Sequence, residues 1–236
     1  MFFYKLCYPV NSADIGNVSS QIGNIIRNSS PFLQNVDFSK KAVLAQSPIF
    51  ALNPNAKHSN IYRLPSLISH VNNLTVLDLK ARNVFEQFNL GNYQLLDLLI
   101  SEKEQYHSCS LLQIYPAQGD PLYIDYGKTE FVFVTDILVD DNALPRIKFN
   151  DFNEYLATIR NNYFNAQDEK NKYGKYRVKK LVLKNEKIST DIFYLNSICS
   201  GLYVSERLKS AIEINNLTGV RFIAVENIVE PLPILR

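Results

Sequence analysis

The sequence predicts an α+β protein with a mixed or antiparallel sheet and a few packed helices. Hydrophobic residues make up 46% of the 236-residue chain and charged residues 20%, which is typical of a globular protein with a core. Short apolar or alternating runs favour strands, whereas a few longer segments carry apolar residues at helix spacing. We expect an N-terminal lobe over residues 1–110 with a loop-rich start and a C-terminal lobe over 111–236, or one compact domain.

The first lobe begins with a segment rich in Ser, Asn and Pro, residues 11–60, which predicts loops and one short helix over 18–27. A strand follows over residues 74–77. Ala81, Val84, Phe85 and Phe88 then form one apolar helix stripe, with Asp78 as its predicted N-cap. The segment 89–92 ends this helix, and residues 93–100 fit either a strand or a helix.

The middle of the chain predicts several strands around one clear helix. The strands are expected over residues 111–115, 122–126, 131–134, 176–183 and 188–194, with a turn at 127–128. The helix is marked by an apolar stripe, which comprises Phe152, Tyr155, Leu156, Ile159 and Tyr163. Asp151 and Glu154 have the spacing of a capping box at its start.

The C-terminal region predicts a strand over 201–204, a helix capped by Ser205, and a returning strand over 220–225. Leu208, Ala211 and Ile212 are expected to face the core. Gly219 follows the helix end, where a positive φ is expected.

An internal similarity relates residues 76–95 to residues 203–222 at an offset of 127. It aligns strand, cap, helix and strand: Asp78 with Ser205, Phe85 with Ile212, Asn89-Leu90 with Asn216-Leu217, and Leu95 with Phe222. Two related strand–helix–strand units explain this pattern. The alternative explanation, which needs no duplication, is convergence of short units under the same capping rules.

Cysteine usage and the absence of a leader indicate a cytoplasmic protein. Cys7, Cys109 and Cys199 are single and far apart, as expected of reduced and mostly buried thiols. The apolar start is interrupted by Lys5 and Pro9, so it does not read as a signal peptide. No run of about 18 apolar residues is present to span a membrane.

No motif for a catalytic, cofactor or metal site is apparent. The histidines, His58, His70 and His107, lack a metal-binding spacing, and Gly127-Lys128-Thr129 lacks the first glycine of a phosphate loop. The carboxylates Glu102 and Glu104 show no convergent partner. A hydrolase-type site assembled from distant residues, for example Cys199 with His70, stays open as an alternative.

Charge is distributed unevenly along the chain. Residues 120–141 hold six acidic residues and one lysine, whereas residues 170–187 hold eight basic residues and one glutamate. The basic segment also carries Tyr173 and Tyr176, so a nucleic-acid-binding module is a further alternative. The compensating acidic segment argues against a dedicated nucleic-acid surface.

The C-terminal region carries the pattern Asp-x-Phe, Val-Ser-Glu-x-Leu-Lys and Leu-Thr-Gly-x-x-Phe, whose main positions are Asp191, Phe193, Ser205, Leu208, Gly219 and Phe222. This pattern resembles the signature of a family of bacterial immunity proteins in polymorphic toxin systems. It covers about a quarter of the chain. The resemblance implies a protein that neutralises a cognate toxin by direct binding, with no catalytic residues and no cofactor.

The acidic segment is the predicted partner surface. Toxins that attack nucleic acids commonly present basic faces, and an opposing acidic surface raises the association rate. We therefore expect Asp136, Asp140 and Asp141 to lie near the binding surface; the competing interpretation is that they are ordinary loop charges.

Overall fold

The structure is a computed structural model and describes residues 1–9, 12–13, 15–16, 21–27, 47–64, 74–103, 105–115, 120–134, 143–165 and 175–228. These residues form an α+β fold with mixed sheets, which confirms the predicted class. The strands are β1 (Phe3–Cys7), β2 (Ile22–Arg27), β3 (Ile49–Leu52), β4 (Ile61–Tyr62), β5 (Leu74–Asp78), β6 (Tyr93–Glu102), β7 (Gln105–Ile114), β8 (Glu130–Val134), β9 (Lys175–Lys180), β10 (Ile192–Leu195), β11 (Gly201–Ser205) and β12 (Arg221–Ala224). The α-helices are α1 (Leu79–Phe85), α2 (Asp120–Tyr123), α3 (Phe152–Asn165) and α4 (Glu206–Ile214).

The chain forms two compact units that are not continuous in sequence. The first comprises residues 1–117, 189–196 and 200–223, and the second comprises 118–188, 197–199 and 224–236. This grouping differs from a division after residue 110. In the first unit β1 pairs antiparallel with β11, which brings residues 3–5 beside residues 203–205.

The first unit holds two sheets, a six-stranded one in the order β2-β3-β6-β7-β5-β4 and a four-stranded one in the order β10-β11-β1-β12. One face of the six-stranded sheet packs against α1, α4 and the four-stranded sheet in a shared core. This core includes Leu77, Phe85, Leu112, Val204 and Leu208. A second core lies on the other face of the six-stranded sheet. Because side chains alternate along a strand, β5, β6 and β7 contribute to both cores.

Two halves of the first unit have the same strand topology. In one half the strands lie in the order β4-β5-β7-β6, and α1 connects β5 to β6. In the other half the strands lie in the order β10-β11-β1-β12, and α4 connects β11 to β12. β7 is antiparallel to β5, and β1 is antiparallel to β11. The N-terminal strand therefore occupies in the second half the position that β7 occupies in the first. This match supports the interpretation of two related units.

The residues aligned by the internal similarity have matching roles. Asp78 caps α1 by accepting the Ala81 N–H at 2.7 Å, and Ser205 caps α4 by accepting the Leu208 N–H at 3.2 Å, so both predicted caps are confirmed. The other aligned pairs match in burial: Phe85 with Ile212 and Leu90 with Leu217 are buried, and Leu95 with Phe222 is partly buried against the shared core.

Each half also holds the loop that follows the helix of the other half. The Asn60 side chain, next to β4, accepts the Thr218 N–H at 2.9 Å after α4. The Asp191 carboxylate, next to β10, accepts the Asn89 N–H at 3.1 Å after α1. These exchanged contacts attach the loop after each helix to the neighbouring half.

Close packing explains why glycine occupies position 219. Its φ is +96°, as predicted for a residue past the helix end. A Cβ atom here would also collide with the Ile61 carbonyl oxygen and lie 2.9 Å from the Ser59 Cβ. A positive φ alone would favour asparagine over valine at this position, but the collision with the backbone affects both side chains.

The second unit is built on the β8–β9 pair and the amphipathic helix α3. Its interior is aromatic: Phe131 lies 5.0 Å from Phe149 and 5.3 Å from Tyr155, measured between ring centroids. The predicted cap of α3 is confirmed, because Asp151 accepts the Glu154 N–H at 2.9 Å. Glu154 in return accepts the Asn150 N–H, one residue before the position of a standard capping box.

The helix after β5 ends at Phe85 and not at 89–92, and the strand expected over 188–194 begins only at Ile192. Two other predicted elements have the wrong type. Residues 122–126 were expected to form a strand, but α2 ends at Tyr123 and only Ile124 bridges to Leu183. Pro121 in the first helical turn favours this helical start, since proline presets the helical φ. The turn at 127–128 is present and is held by Asp125, whose carbonyl accepts the Lys128 and Thr129 N–H groups.

The second error concerns residues 18–27, which were expected to form a short helix. Residues 22–27 form β2 instead, and residues 17–20 lie outside the described part. Ile22 is fully buried, and β2 pairs antiparallel with β3 through Leu52 and Phe50. Sheet pairing and a β-branched composition outweigh the weak helical periodicity.

Among the described residues no helix is long and apolar enough to cross a membrane.

Candidate functional site

A groove of about 900 Å³ opens at the end of the six-stranded sheet, where β5 meets α1 and β7 begins. It lies within the first unit. Most of its lining residues carry a polar group; they are His58, Ser59, Asn60, Tyr62, Asp78, Leu79, Lys80, Asn83, Tyr106, His107, Ser108, Cys109 and Thr218.

Strand register brings three potential metal ligands together at this groove. His107 on β7 faces Ile100 on β6, and Glu102 lies two residues further along β6. The two side chains are therefore diagonal neighbours on one face of the sheet. His58 approaches from the loop that precedes β4. One ligand atom from each of His58, Glu102 and His107 lies within 4.8 Å of the other two.

Hydrogen bonds orient His58 within this cluster. Its Nε2 lies 2.5 Å from the Glu102 Oε2, and its Nδ1 lies 3.0 Å from the Tyr62 hydroxyl. The Tyr62 hydroxyl also accepts the Ser59 N–H at 3.2 Å. The His58 ring is thus held from both sides, with 39% of its side chain still exposed to the groove.

His107 differs from His58 because its Nε2 is buried without a hydrogen-bond partner. The two rings contact each other edge to face, with centroids 4.3 Å apart. A buried polar atom without a partner costs about 1–3 kcal/mol. An occupant of the cluster that bonds to this nitrogen would recover that cost.

Burial makes Cys109 and Tyr62, two further titratable side chains of the groove, poor nucleophiles. It raises the pKa of the Cys109 thiol to about 12, with a further contribution from the nearby Asp78 carboxylate. Burial also raises the pKa of the Tyr62 hydroxyl above its ordinary value. The Asp78 carboxylate already accepts hydrogen bonds from Ala81 N and Asn60 Nδ2. Cys109 is therefore a protonated thiol at neutral pH rather than a catalytic thiolate.

The rim of the groove exposes two large apolar side chains. Leu79 at the start of α1 is 66% exposed, and Tyr106 at the start of β7 is 59% exposed. Lys80, the residue after Leu79, donates from Nζ to the Asn215 carbonyl at the end of α4, at 2.6 Å. Exposed apolar side chains beside a groove that offers hydrogen-bonding groups form a surface that can bind another protein.

The residues of the predicted C-terminal signature have structural roles in the first unit. Phe193 is buried against Phe3 and stacks on Tyr203, and Leu208 is fully buried in the shared core. Phe222 is only partly buried, with the Lys209 ammonium 5.8 Å from its ring centroid.

Asp191 is the most highly connected residue of that signature. It is 1% exposed and accepts hydrogen bonds from the Ser205 hydroxyl at 2.6 Å and from Arg207 Nη2 at 2.8 Å. Its own N–H donates to the Asn89 carbonyl at 2.7 Å. The signature therefore describes how the two halves of the unit are joined, and sequence reasoning did not identify Arg207 as its charged partner.

The predicted partner-binding residues Asp136, Asp140 and Asp141 lie outside the described residues, so their role stays a prediction. Two described carboxylates of the acidic segment form local ion pairs. Asp125 lies 3.0 Å from Lys128, and Glu130 lies 3.9 Å from Arg146.

The described part of the basic segment does not present an exposed tyrosine for stacking on bases. Tyr176 packs against Phe133 and Phe149, with ring centroids 4.9 and 5.4 Å away, and receives a hydrogen bond from Asn162. Tyr173 lies outside the described residues.

The alternative that pairs Cys199 with His70 stays untested, because His70 lies outside the described residues. Cys199 itself is buried in the second unit and does not line the groove. All three cysteines are thiols, as expected; Cys109 and Cys199 are buried, and Cys7 is half-buried. The cluster at the groove was missed because His58 is 44 residues from Glu102. The one local signal in the sequence is the spacing of His107 and Cys109, which lie two residues apart on a strand and both line the groove.

Comparison of the chain with protein-family models and with curated protein sequences gives no match.

Proposed function

We propose that this chain is an immunity protein that neutralises a cognate toxin domain by binding it at the groove. The observation that carries the proposal is the exposure of Leu79 and Tyr106, at 66% and 59%, on the rim of a groove whose lining residues mostly carry polar groups. The C-terminal resemblance supports the same class of function. Neutralisation by direct binding needs a complementary surface and no cofactor.

The two rim residues have the chemistry of interface anchors. Tyrosine gives a large contact area with few rotatable bonds, and its hydroxyl can bond at a polar edge. Leu79 adds apolar area at the start of α1. The groove lining also supplies hydrogen-bonding side chains such as Asn83 and Ser108, which can fix the register of a bound segment.

The binding experiment uses two exposed tyrosines of the same hairpin. Tyr106→Ala removes the rim anchor, whereas Tyr93→Ala removes a tyrosine that is 42% exposed at the other end of the β6–β7 pair. The two positions are separated by eight register steps, roughly 27 Å. Each variant is titrated against the product of the neighbouring gene, taken as the candidate toxin, and growth protection is measured in cells that produce this candidate.

Tyr106→Ala is expected to weaken binding by at least tenfold, since truncation of an interface anchor costs more than about 1.4 kcal/mol. Tyr93→Ala is expected to leave binding and protection unchanged. Equal affinities for the wild type and Tyr106→Ala would place the binding surface elsewhere. Protection by a protein that does not bind the toxin would overturn the proposal as a whole.

The His58–Glu102 pair favours a second candidate function, a hydrolase-type enzyme. A histidine held by a carboxylate and exposed to a groove can act as a general base. His58→Ala separates the two functions: an enzyme would lose protection while its complex with the toxin persists. A binding protein would lose protection only to the extent that it loses affinity.

A further inference from the structure

We propose that His58, Glu102 and His107 form a binding site for a divalent transition-metal ion of the zinc type. The proposal goes beyond toxin binding, because it concerns the isolated protein and requires no partner. It rests on the convergence of two imidazoles and one carboxylate within 4.8 Å, and on the buried His107 Nε2 that has no hydrogen-bond partner.

The ligand atoms are one small adjustment away from the spacing of a metal site. Two ligands bound at about 2.1 Å with a tetrahedral angle stand roughly 3.4 Å apart. The His58 Nε2 and Glu102 Oε2 atoms are 2.5 Å apart, a distance bridged by a proton. A metal ion would replace this proton and separate the two atoms by roughly 0.9 Å. Both side chains have room for that adjustment, with exposures of 39% and 33%.

His107 supplies the least movable ligand. It lies within β7, paired with β6 through Ile100, so the strand register fixes its Cα position. Its Nε2 is buried and makes no hydrogen bond that would compete with an ion. A neutral imidazole nitrogen with a free lone pair is the form of histidine that binds transition metals.

Tyr62 provides the outer contact that a metal-binding histidine requires. When His58 binds an ion through Nε2, its Nδ1 carries the proton and can donate to the Tyr62 hydroxyl 3.0 Å away. The Tyr62 ring is 2% exposed and is packed in the second core, so this acceptor is held in place.

The donor set selects the class of ion. Two imidazoles and one carboxylate form a ligand set that Zn²⁺ accepts with its fourth position open, whereas Mg²⁺ prefers oxygen ligands. The exposed side of the cluster faces the groove, so the fourth position is accessible to water or to a ligand in the groove.

The test uses the full chain after treatment with a chelator. Zn²⁺ binding is measured by calorimetry, and Co²⁺ binding by visible absorption, whose intensity distinguishes four-coordinate from six-coordinate cobalt. We expect one ion per chain, a four-coordinate cobalt spectrum, a higher melting temperature with Zn²⁺, and no binding of Mg²⁺. His58→Ala and Glu102→Gln should each lower the Zn²⁺ affinity by more than tenfold, and Tyr62→Phe by about tenfold.

The matched control for Glu102→Gln is Asp97→Asn. Asp97 lies on the same strand, 80% exposed, and its distance of five residues places it on the opposite face of the sheet. The control should keep the wild-type affinity. His58 and Glu102 are partly exposed, so their variants are expected to fold, and circular dichroism checks this. Failure of the wild type to bind Zn²⁺ or Co²⁺ at millimolar concentration would overturn the proposal, as would unchanged affinity in both ligand variants. Either outcome leaves toxin binding as a separate question, because no toxin is present.

Discussion

Replacement of Asp191 by alanine tests whether this carboxylate joins the two halves of the first unit. The side chain is 1% exposed and accepts hydrogen bonds from the Ser205 hydroxyl, the Asn89 N–H and the Arg207 guanidinium. The substitution removes all these acceptors at once. It also leaves a void beside Ser205, which is fully buried.

The expected loss of unfolding free energy is about 3 kcal/mol. Breaking a buried ion pair costs about 3–5 kcal/mol when the remaining charge stays buried. Arg207 is 65% exposed, so it regains water and contributes little of this cost. The Ser205 hydroxyl and the Asn89 N–H lose partners in a buried or partly buried setting, at about 1–3 kcal/mol each.

Urea denaturation, followed by far-ultraviolet circular dichroism and tyrosine fluorescence, measures the effect; the chain has 14 tyrosines and no tryptophan. Arg207→Ala should also destabilise the protein, by up to about 3–5 kcal/mol, because it leaves the buried Asp191 carboxylate without its cation. Asp97→Ala, at an 80% exposed carboxylate, should change stability by less than about 0.5 kcal/mol. A loss below about 1 kcal/mol for Asp191→Ala would refute the reasoning.

Four further predictions concern caps, packing, thiol chemistry and the acidic segment. Ser205→Ala should destabilise the protein by about 1 kcal/mol in urea melts through loss of the α4 cap, with no change in partner affinity among folded molecules. Gly219→Ala should cost at least about 1–3 kcal/mol, and asparagine and valine there should both be worse, since every Cβ meets the same backbone; an alanine variant as stable as the wild type would contradict this. Cys109, with a pKa of about 12, should react with iodoacetamide at pH 8 far more slowly in the native than in the urea-unfolded protein, and faster as the pH rises. Charge reversal at Asp140 and Asp141 should slow toxin association at low salt more than at high salt; a rate independent of both changes would count against an acidic binding surface.

Local features of this protein could be predicted from the sequence, because their causes lie within a few residues. The caps Asp78 and Ser205 act on N–H groups three residues away, and the stripes of α1, α3 and α4 follow from the helical repeat. The α+β class follows from the same patterns. The internal similarity at an offset of 127 also has its counterpart in two halves with one topology.

Tertiary structure decided the features whose partners are distant in sequence. The N-terminal strand β1 completes the second half by pairing with β11, about 200 residues away, and no local pattern encodes that choice. Residues 22–27 form a strand because β3 lies beside them, although their local periodicity is weakly helical.

The candidate site depends on tertiary structure for the same reason. Glu102 and His107 meet through the register of a hairpin, and His58 reaches them only because its loop leads into β4 at the edge of the same sheet. The sequence shows that histidines and glutamates are present, but strand pairing sets the distances between their ligand atoms. A metal site or a binding groove is defined by such distances, so it emerges only when the sheet is assembled.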